Sequence, residues 1–473
     1  MADSDHIPPE IAAESNPAHS SAIDEEDRLR PEFVETVLDA VDAGDDETAR
    51  KLVQPLHPAD IADLIEAAAR DERDGLVKAL AGIVSPDVLA EMNDWVREDL
   101  LDEMEPQQVA DIAGQLETDD AVALIEDLDR DEQQAVLRAM EPDDRAAVEE
   151  ALGYPEESAG RLMQRDLCAV PAHWKVGQVI DYLRSTADLP TDFWEVFVVS
   201  PDHHPVGTCK LSTILRTPRS ILVSDIMASE QTLIPVDMDQ EDVALRFQKY
   251  ALVSAAVVDE SGRLVGMITV DDVVHIIQEE AGEDVLLLSQ AGDGDINEPI
   301  GLTIRSRMWW LFINLGTEIL SVAVIGFYQD LIAKLVVLAM LMPVITGMGG
   351  NAATQTMAVT VRAIATGQLT SSNTWRMILR EWWIASANGW GLGLIMLLGV
   401  QLIYHDWGLS LVTLLAMLLN SINAGLSGVL IPIGLNRFKI DPAVVSTIFV
   451  TTMTDTLGFF FFLGLAAMFH LHG

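Results

Sequence analysis

Cysteine is nearly absent from this 473-residue chain: only Cys168 and Cys209 occur. Two thiols cannot build a disulfide framework, and their spacing fits no metal site, so both read as buried, reduced side chains. Basic residues are also scarce, 29 Lys and Arg against 74 Asp and Glu. That balance excludes a nucleic-acid partner, because meeting phosphate requires basic patches. The opening segment, MADSDHIPPEIAAESN, lacks both a basic stretch and an apolar core. No signal peptide is therefore expected, and residues 1–30 read as a disordered tail. Paired catalytic carboxylates, a nucleophile–base set and a phosphate-binding loop are all missing, so no enzyme is expected.

What is present is distributed unevenly. Eight of the basic and six of the acidic residues lie in 301–473, a net charge of +2; residues 1–300 hold the other 21 and 68, a net charge of −47. A soluble polyanion is thus joined to a nearly neutral apolar part, which points to cations as counterions or as ligands. Five apolar stretches follow residue 300, near 308–329, 331–357, 382–404, 408–434 and 443–470. Each is long enough to cross a hydrocarbon core of ~30 Å as a helix. Pro343 and Pro432 fall inside two of them, which spanning helices tolerate because neighbours re-satisfy the backbone. Trp309, Trp310, Trp382, Trp383, Tyr404 and Trp407 lie near the ends, as an aromatic belt would. With this threading, Arg305, Arg307, Arg362, Arg376, Arg380, Arg437 and Lys439 share one side and Lys334 stands alone on the other. The positive-inside rule then puts the acidic 300 residues in the cytosol and the C-terminus outside.

The acidic part subdivides. Residues 31–158 read as a helical array. His57-Pro58, Glu105-Pro106 and Glu141-Pro142 each place Pro at a helix start. Ile61, Leu64, Ile65 and Ala68, then Val109, Ile112, Ala113 and Leu116, follow helical periodicity. Two Met-Glu-Pro copies, at 104–106 and 140–142, suggest helix-pair repeats stacked as a small superhelix. Further on, VFVVSPDHHPVGTCKLSTIL (196–215) aligns without a gap on AAVVDESGRLVGMITVDDVV (255–274). Each copy reads strand, turn, strand, helix and resembles a CBS domain, the two making a pair over 159–222 and 223–282. Such pairs often bind adenosine nucleotides such as ATP. The second copy keeps Gly266-x-x-Thr269-x-x-Asp272, where Asp272 could hold a ribose, whereas the first has Lys210 and Thr213 at the matching places. An acidic connecting helix, 270–300, then leads toward the first span. It reads either as a solvated linker or as a gating element.

Among residues that could carry transport, Asp455 stands deep in the last span, in TTMTDTLGFFFFLGLA. Inserting such a group costs roughly 2.5–3.5 kcal/mol, which makes it a functional candidate. Thr447, Thr451 and Asp455 share one helix face by their four-residue spacing. The segment PVITGMGGNAATQT (343–356) adds glycines for close approach and the neutral oxygens of Asn351, Thr354 and Gln355. Glu318 in the first span is a further candidate. A carboxylate with hydroxyls, amides and carbonyls suits a hard, reluctantly dehydrated cation such as Mg²⁺. Spacing alone does not separate Mg²⁺ from Ca²⁺ or Mn²⁺.

The whole pattern resembles the MgtE magnesium channel family: the helical amino-terminal domain, PEESAGRLM (155–163) entering a CBS pair, the acidic connecting helix, five spans, MPVITGMGGNAATQT, and DPAVVSTIFVTTMTD (441–455). The resemblance implies a multidomain membrane protein: an all-α cytosolic superhelical domain, an α/β tandem CBS pair, the connecting helix and a five-helix transmembrane domain. It further implies a homodimer in a bacterial inner membrane, surrounded by lipid, with the pore on the dimer axis. Asp455 from each subunit would supply the central carboxylate, flanked by Asn351, Thr354, Thr447 and Thr451. A cytosolic Mg²⁺ sensor would use Asp239, Glu241, Asp272, Glu280, Glu283 and Asp284, with Asp441 at the pore mouth and Asp60, Asp63 and Asp111 on the repeat helices. His275, Gln278 and Gln107 stand near positions where the family often has acids, and Thr354 and Thr447 where some members have Asn. The function implied is Mg²⁺ uptake that Mg²⁺ itself shuts down. The alternative is a secondary transporter coupled to Na⁺ or H⁺.

Overall fold

The computed structural model describes residues 22–470, apart from 25–27, 127, 187–188, 191–192, 292–293 and 295; the side chains of Asp284 and His470 also lie outside the described set. The expected tail at 1–30 falls largely beyond these residues. The chain forms two compact units, Met1–Ile277 and Gln278–Gly473.

Ten short helices between residues 31 and 151 are described in the first unit: α1 (Pro31–Asp42), α2 (Asp46–Val53), α3 (Pro58–Ala67), α4 (Arg70–Ala79), α5 (Pro86–Ala90), α6 (Asp94–Leu101), α7 (Pro106–Ala113), α8 (Thr118–Glu126), α9 (Arg130–Ala139) and α10 (Pro142–Ala151). Proline occupies the first turn of α1, α3, α5, α7 and α10, where its missing N–H costs nothing. Helices this short are marginal alone and persist here because each buries an apolar stripe. Ile61, Leu64, Ile65 and Ala68 are all inside, as are Val109 and Ala113, in one continuous core running from Ala22 to Ala151.

Two three-stranded sheets follow, β1-β2-β3 and β4-β5-β6. The first comprises β1 (Ala169–Pro171), β2 (Glu195–Val199) and β3 (Pro205–Lys210), with helices α11 (Val176–Ser185) and α12 (Leu211–Arg216). The second comprises β4 (Leu233–Pro235), β5 (Ser254–Val258) and β6 (Leu264–Thr269), with α13 (Gln240–Tyr250) between β4 and β5. In both, the first strand pairs parallel and the last antiparallel with the middle one. The register irregularity falls at Val198/Val199 in one and at Val257/Val258 in the other. The duplication read from the sequence is therefore a duplication of backbone. Phe197, Val199, Ala256, Leu264 and Met267 join the two halves in one apolar cluster, so the pair shares a core. Cys168 and Cys209 are buried, free thiols, each pushed up to about 11 by burial.

Helix α14 (Val270–Ser289) carries the chain from the first unit into the second. It stops eleven residues short of the expected 300, because Gln290 turns left-handed at φ 57 and Gly294 follows at φ 73. The second unit holds five long apolar helices: α15 (Ile300–Phe327), α17 (Val337–Ala365), α18 (Thr374–Tyr404), α19 (Trp407–Arg437) and α20 (Pro442–His470), with the short α16 (Gln329–Lys334) between the first two. Each of the five is long and apolar enough to cross a membrane. Pro343 and Pro432 lie inside α17 and α19 without ending them. Helix α18 begins well before the apolar run at 382, since the helical backbone already runs through Arg376, Arg380 and Glu381. Helix α19 is the most enclosed of the five, and its small residues explain why. Gly425 and Gly428 are held against Ala385 and Ala353, where an added Cβ would lie 2.7 Å from Ala385 Cβ and 2.8 Å from the Ala353 carbonyl oxygen. Small residues let membrane helices approach this closely.

Candidate ion pathway and carboxylate sensor

Helix α20 presents Thr447, Thr451 and Asp455, all partly exposed, beside a buried stripe that includes Ala443, Ser446, Val450 and Thr454. The Thr451 hydroxyl donates to the Thr447 carbonyl at 2.8 Å. On α17, Thr354 donates to the Gly350 carbonyl at 3.0 Å, and Asn351 is exposed. A hydroxyl that gives its proton to the preceding turn keeps its oxygen lone pairs for another partner. Such oxygens, and the Asp455 carboxylate, are acceptors of the kind a hydrated cation takes. Glu318 on α15 lies within coulombic range of Asp455, so a second carboxylate adds to the field there.

Thr447 is engaged differently. Its hydroxyl donates to the Leu288 carbonyl at 2.8 Å, and Leu287 and Leu288 pack with Ala353, Met357, Val361, Ala424, Ala443 and Val450. The last turn of α14 is thereby fastened to the C-terminal half of α17 and the N-terminal half of α20. Asp441, expected at the pore mouth, caps α20 by accepting from the Ala443 amide at 2.8 Å. Glu381 on α18 was not singled out from the sequence. It is 6% exposed, with the Thr356 hydroxyl 3.4 Å from its carboxylate.

In the first unit, Asp272 accepts from the Thr269 hydroxyl at 2.6 Å and from the Gln164 amide at 3.5 Å. It opens onto the start of α8, where Glu117, Asp119 and Asp120 stand. Burial, then repulsion from Asp272, pushes Glu117 up to about 7 and Asp120 up to about 6. The same two causes raise Asp119 well above the usual carboxylate range, and its Oδ1 is buried with no partner among the described residues. Burial is also the main cause raising Asp272 itself. Glu91 extends this carboxylate field to Asp63, which burial and then Asp60 raise. Glu117, Asp119 and Asp120 were not anticipated. The signal available in the sequence was the acidic pair opening α8 in a repeat otherwise matched by α3, but acids at a helix start are ordinarily explained by the helix dipole.

Other expected sensor residues have local roles. Asp239 caps α13 by accepting from the Glu241 amide at 3.0 Å. Asp60 accepts from the His57 amide in a capping box, and Asp111 accepts from Gln107 at 2.9 Å. Glu280 and Glu283 belong to α14 beyond Ile277 and so to the second unit; the Asp284 side chain is outside the described residues. Among the described residues no group of three or more His, Cys, Asp or Glu side chains is placed to hold a metal ion.

Three family models match the chain: a divalent cation transporter model, MgtE, over 342–465; the MgtE intracellular N domain over 56–157; and a CBS domain over 223–279. The magnesium transporter MgtE of Enterococcus faecalis is 30% identical over 321 residues, covering 68% of this chain and 71% of that protein. This chain belongs to the MgtE family. The MgtE proteins of Bacillus subtilis and Thermus thermophilus are 28% and 30% identical, each match covering 67% of this chain, with 71% and 72% of those proteins. A solved cytosolic domain of the Mg²⁺ channel MgtE in complex with ATP is 27% identical at a TM-score of 0.48, covering 51% of this chain and 99% of that one. As an MgtE-family member with five apolar helices, the chain is a multi-pass membrane protein.

Proposed function

We propose that this MgtE-family protein is a Mg²⁺ channel for magnesium uptake, closed by Mg²⁺ bound to its acidic cytosolic part. The observation that carries the transport half is the Asp455 face of α20. There a carboxylate stands one and two turns from the oxygens of Thr451 and Thr447, whose protons are given to the carbonyls of Thr447 and Leu288. Such a lining holds Mg²⁺ through its water shell, which this ion surrenders reluctantly. Asn351 and Thr354 add neutral oxygens from α17. The two copies of a homodimer would each contribute one Asp455, giving two negative charges to one divalent ion. The distribution of Arg and Lys supports a cytosolic N-terminus and an outward C-terminus in a bacterial inner membrane.

The sensing half rests on Glu117, Asp119, Asp120 and Asp272. At an effective dielectric near 20, two unit charges 4 Å apart repel by about 4 kcal/mol. Mg²⁺ among these carboxylates removes that repulsion and stabilises the compact arrangement of the helical array on the CBS pair. Ligands that bind one arrangement better shift its population. The expected sensor residues of the same unit, Asp239, Glu241, Asp111, Asp60 and Asp63, would extend this field; Glu280, Glu283, Asp284 and Asp441 remain sensor residues that the family resemblance implies for the second unit. The contact between Thr447 and Leu288 supplies a mechanical end point, because it ties the connecting helix to a pore helix. ATP is a second ligand of the CBS pair in this reading, held at Thr269 and Asp272 of the second copy.

Mg²⁺ flux into proteoliposomes tests both halves. Asp455→Ala is expected to abolish Mg²⁺ flux while the protein stays monodisperse, and undiminished flux would remove Asp455 from the pathway. Raising Mg²⁺ on the cytosolic face is expected to suppress flux, and flux that follows an imposed Na⁺ or pH gradient would instead identify a coupled transporter.

A further inference from the structure

Asn420, in the middle of the largely apolar α19, is 0% exposed. Its Nδ2 donates to the Ile345 carbonyl of α17 at 3.0 Å. Its Oδ1 is buried with no N–H or O–H partner among the described residues. A half-satisfied buried amide costs about 1–3 kcal/mol, so an aliphatic residue of similar volume would stabilise the bundle more. The amide is instead gripped by two glycines on two different helices. A Cβ at Gly349 of α17 would lie 2.2 Å from Asn420 Nδ2, and one at Gly458 of α20 would lie 2.9 Å from the same atom. One turn further along α19, Asn423 donates from Nδ2 to the Met453 carbonyl of α20 at 3.2 Å.

These contacts fall beside the ion pathway on both helices. Gly349 precedes Asn351 by two residues and Thr354 by five; Gly458 follows Asp455 by three. We infer that Asn420 is a positioning residue for ion selectivity, setting the spacing and register of α17 against α20 and so the width available between the Asn351/Thr354 oxygens and the Asp455 carboxylate. It touches no ion itself. Its hydrogen bond to Ile345 fixes the height of α17 along α19, and its bulk between Gly349 and Gly458 fixes the separation. A polar group at a helix crossing specifies one register where an apolar one would permit sliding. The inference rests on the reading of Asp455, Asn351 and Thr354 as pathway groups.

The test uses full-length protein in proteoliposomes, with Mg²⁺ and Ca²⁺ flux, Mg²⁺ half-saturation and thermal melting measured for Asn420→Ala, Gly349→Ala and the double variant. A pathway loosened by a fraction of an ångström loses selectivity before it loses throughput, so Asn420→Ala is expected to lower the Mg²⁺/Ca²⁺ flux ratio about threefold or more. Gly349→Ala alone is expected to impair flux, because its new methyl meets the amide. The double variant is expected to regain flux, the methyl entering the space that Asn420 vacates, and this non-additivity is the signature of contact. If Asn420→Ala melts earlier but keeps the wild-type ratio and half-saturation, the residue is only structural and the inference is overturned; strictly additive variants overturn it equally. Should Asn420→Ala aggregate, Asn420→Ser, which keeps polarity but withdraws the reach to Ile345, carries the same expectation and the same refutation. Asp455→Ala, run alongside, separates the two failures. Loss of flux there with an unchanged ratio in Asn420→Ala sinks this inference alone, whereas undiminished flux in Asp455→Ala sinks the reading beneath it as well.

Discussion

Asp119 concentrates the chemistry of the acidic half in one side chain. Its Oδ1 is buried without a partner among the described residues, and Asp272, Asp120 and Glu117 all repel it. An ionised carboxylate so placed opposes the arrangement that buries it unless a cation or proton arrives. Asp119→Asn keeps the shape and removes the charge. At alkaline pH in chelator, the variant is expected to melt later than wild type, by ~2–4 °C for a gain of about 1–2 kcal/mol. Added Mg²⁺ should then raise its melting temperature less than it raises that of wild type. Equal Mg²⁺-induced shifts in the two proteins would remove Asp119 from the sensor. Asp272 differs in having a hydroxyl partner, Thr269, at 2.6 Å, so Thr269→Val should destabilise the second CBS copy and weaken any ATP binding there, as measured by titration calorimetry.

Between elements, the informative contact is the hydroxyl of Thr447 on the carbonyl of Leu288. Carbonyls in the last turn of a helix have no intrahelical donor, so α14 ends with an acceptor available and α20 satisfies it. Thr447→Val keeps the β-branched shape and deletes that bond, worth about 1 kcal/mol. Closure should be weakened accordingly, and residual Mg²⁺ flux at inhibitory cytosolic Mg²⁺ should rise up to about fivefold. If instead the pathway needs Thr447 as a ligand, flux in low Mg²⁺ falls, and the two roles separate in one assay. This contact also marks how far the sequence could be read. Helix starts at Pro58, Pro106 and Pro142, the offset-by-59 strand pairs and the five apolar helices were all legible, because each follows from local periodicity or from proline's fixed φ. The connecting helix was legible only in part: Gly292 and Gly294 left a single rod and a break near them both open, and Gln290 gives no warning that it will adopt φ 57. Glu117, Asp119, Asp120 and Glu381 were not legible, since their burial is created by elements distant in sequence. Asn420 looked like one polar residue in an apolar span until Gly349 and Gly458 closed on it.

At the scale of the whole molecule, the net charge of −45 turns into a prediction about protons. Glu117 is raised to about 7 and Asp120 to about 6, from ordinary values of 4.5 and 3.8. In the folded protein these groups keep protons over a range where the unfolded chain has released them. Stability changes with pH in proportion to the protons bound by the unfolded state minus those bound by the native state. That difference is negative from about pH 4 to about pH 7 by the same relation, so stability falls as pH rises through this window and levels off above it. The sign is opposite to that of a carboxylate stabilised by an ion pair. Melting of the full-length protein in detergent and chelator should therefore occur at a lower temperature at pH 8 than at pH 6. Mg²⁺ replaces the lost protons, so its stabilising effect should be larger at pH 8, and its apparent affinity should weaken on acidification as protons compete for the same oxygens. A melting temperature that rises from pH 6 to pH 8 without Mg²⁺ would mean that paired carboxylates elsewhere dominate. The cluster around Asp272 could then not be the group whose repulsion opposes the compact state.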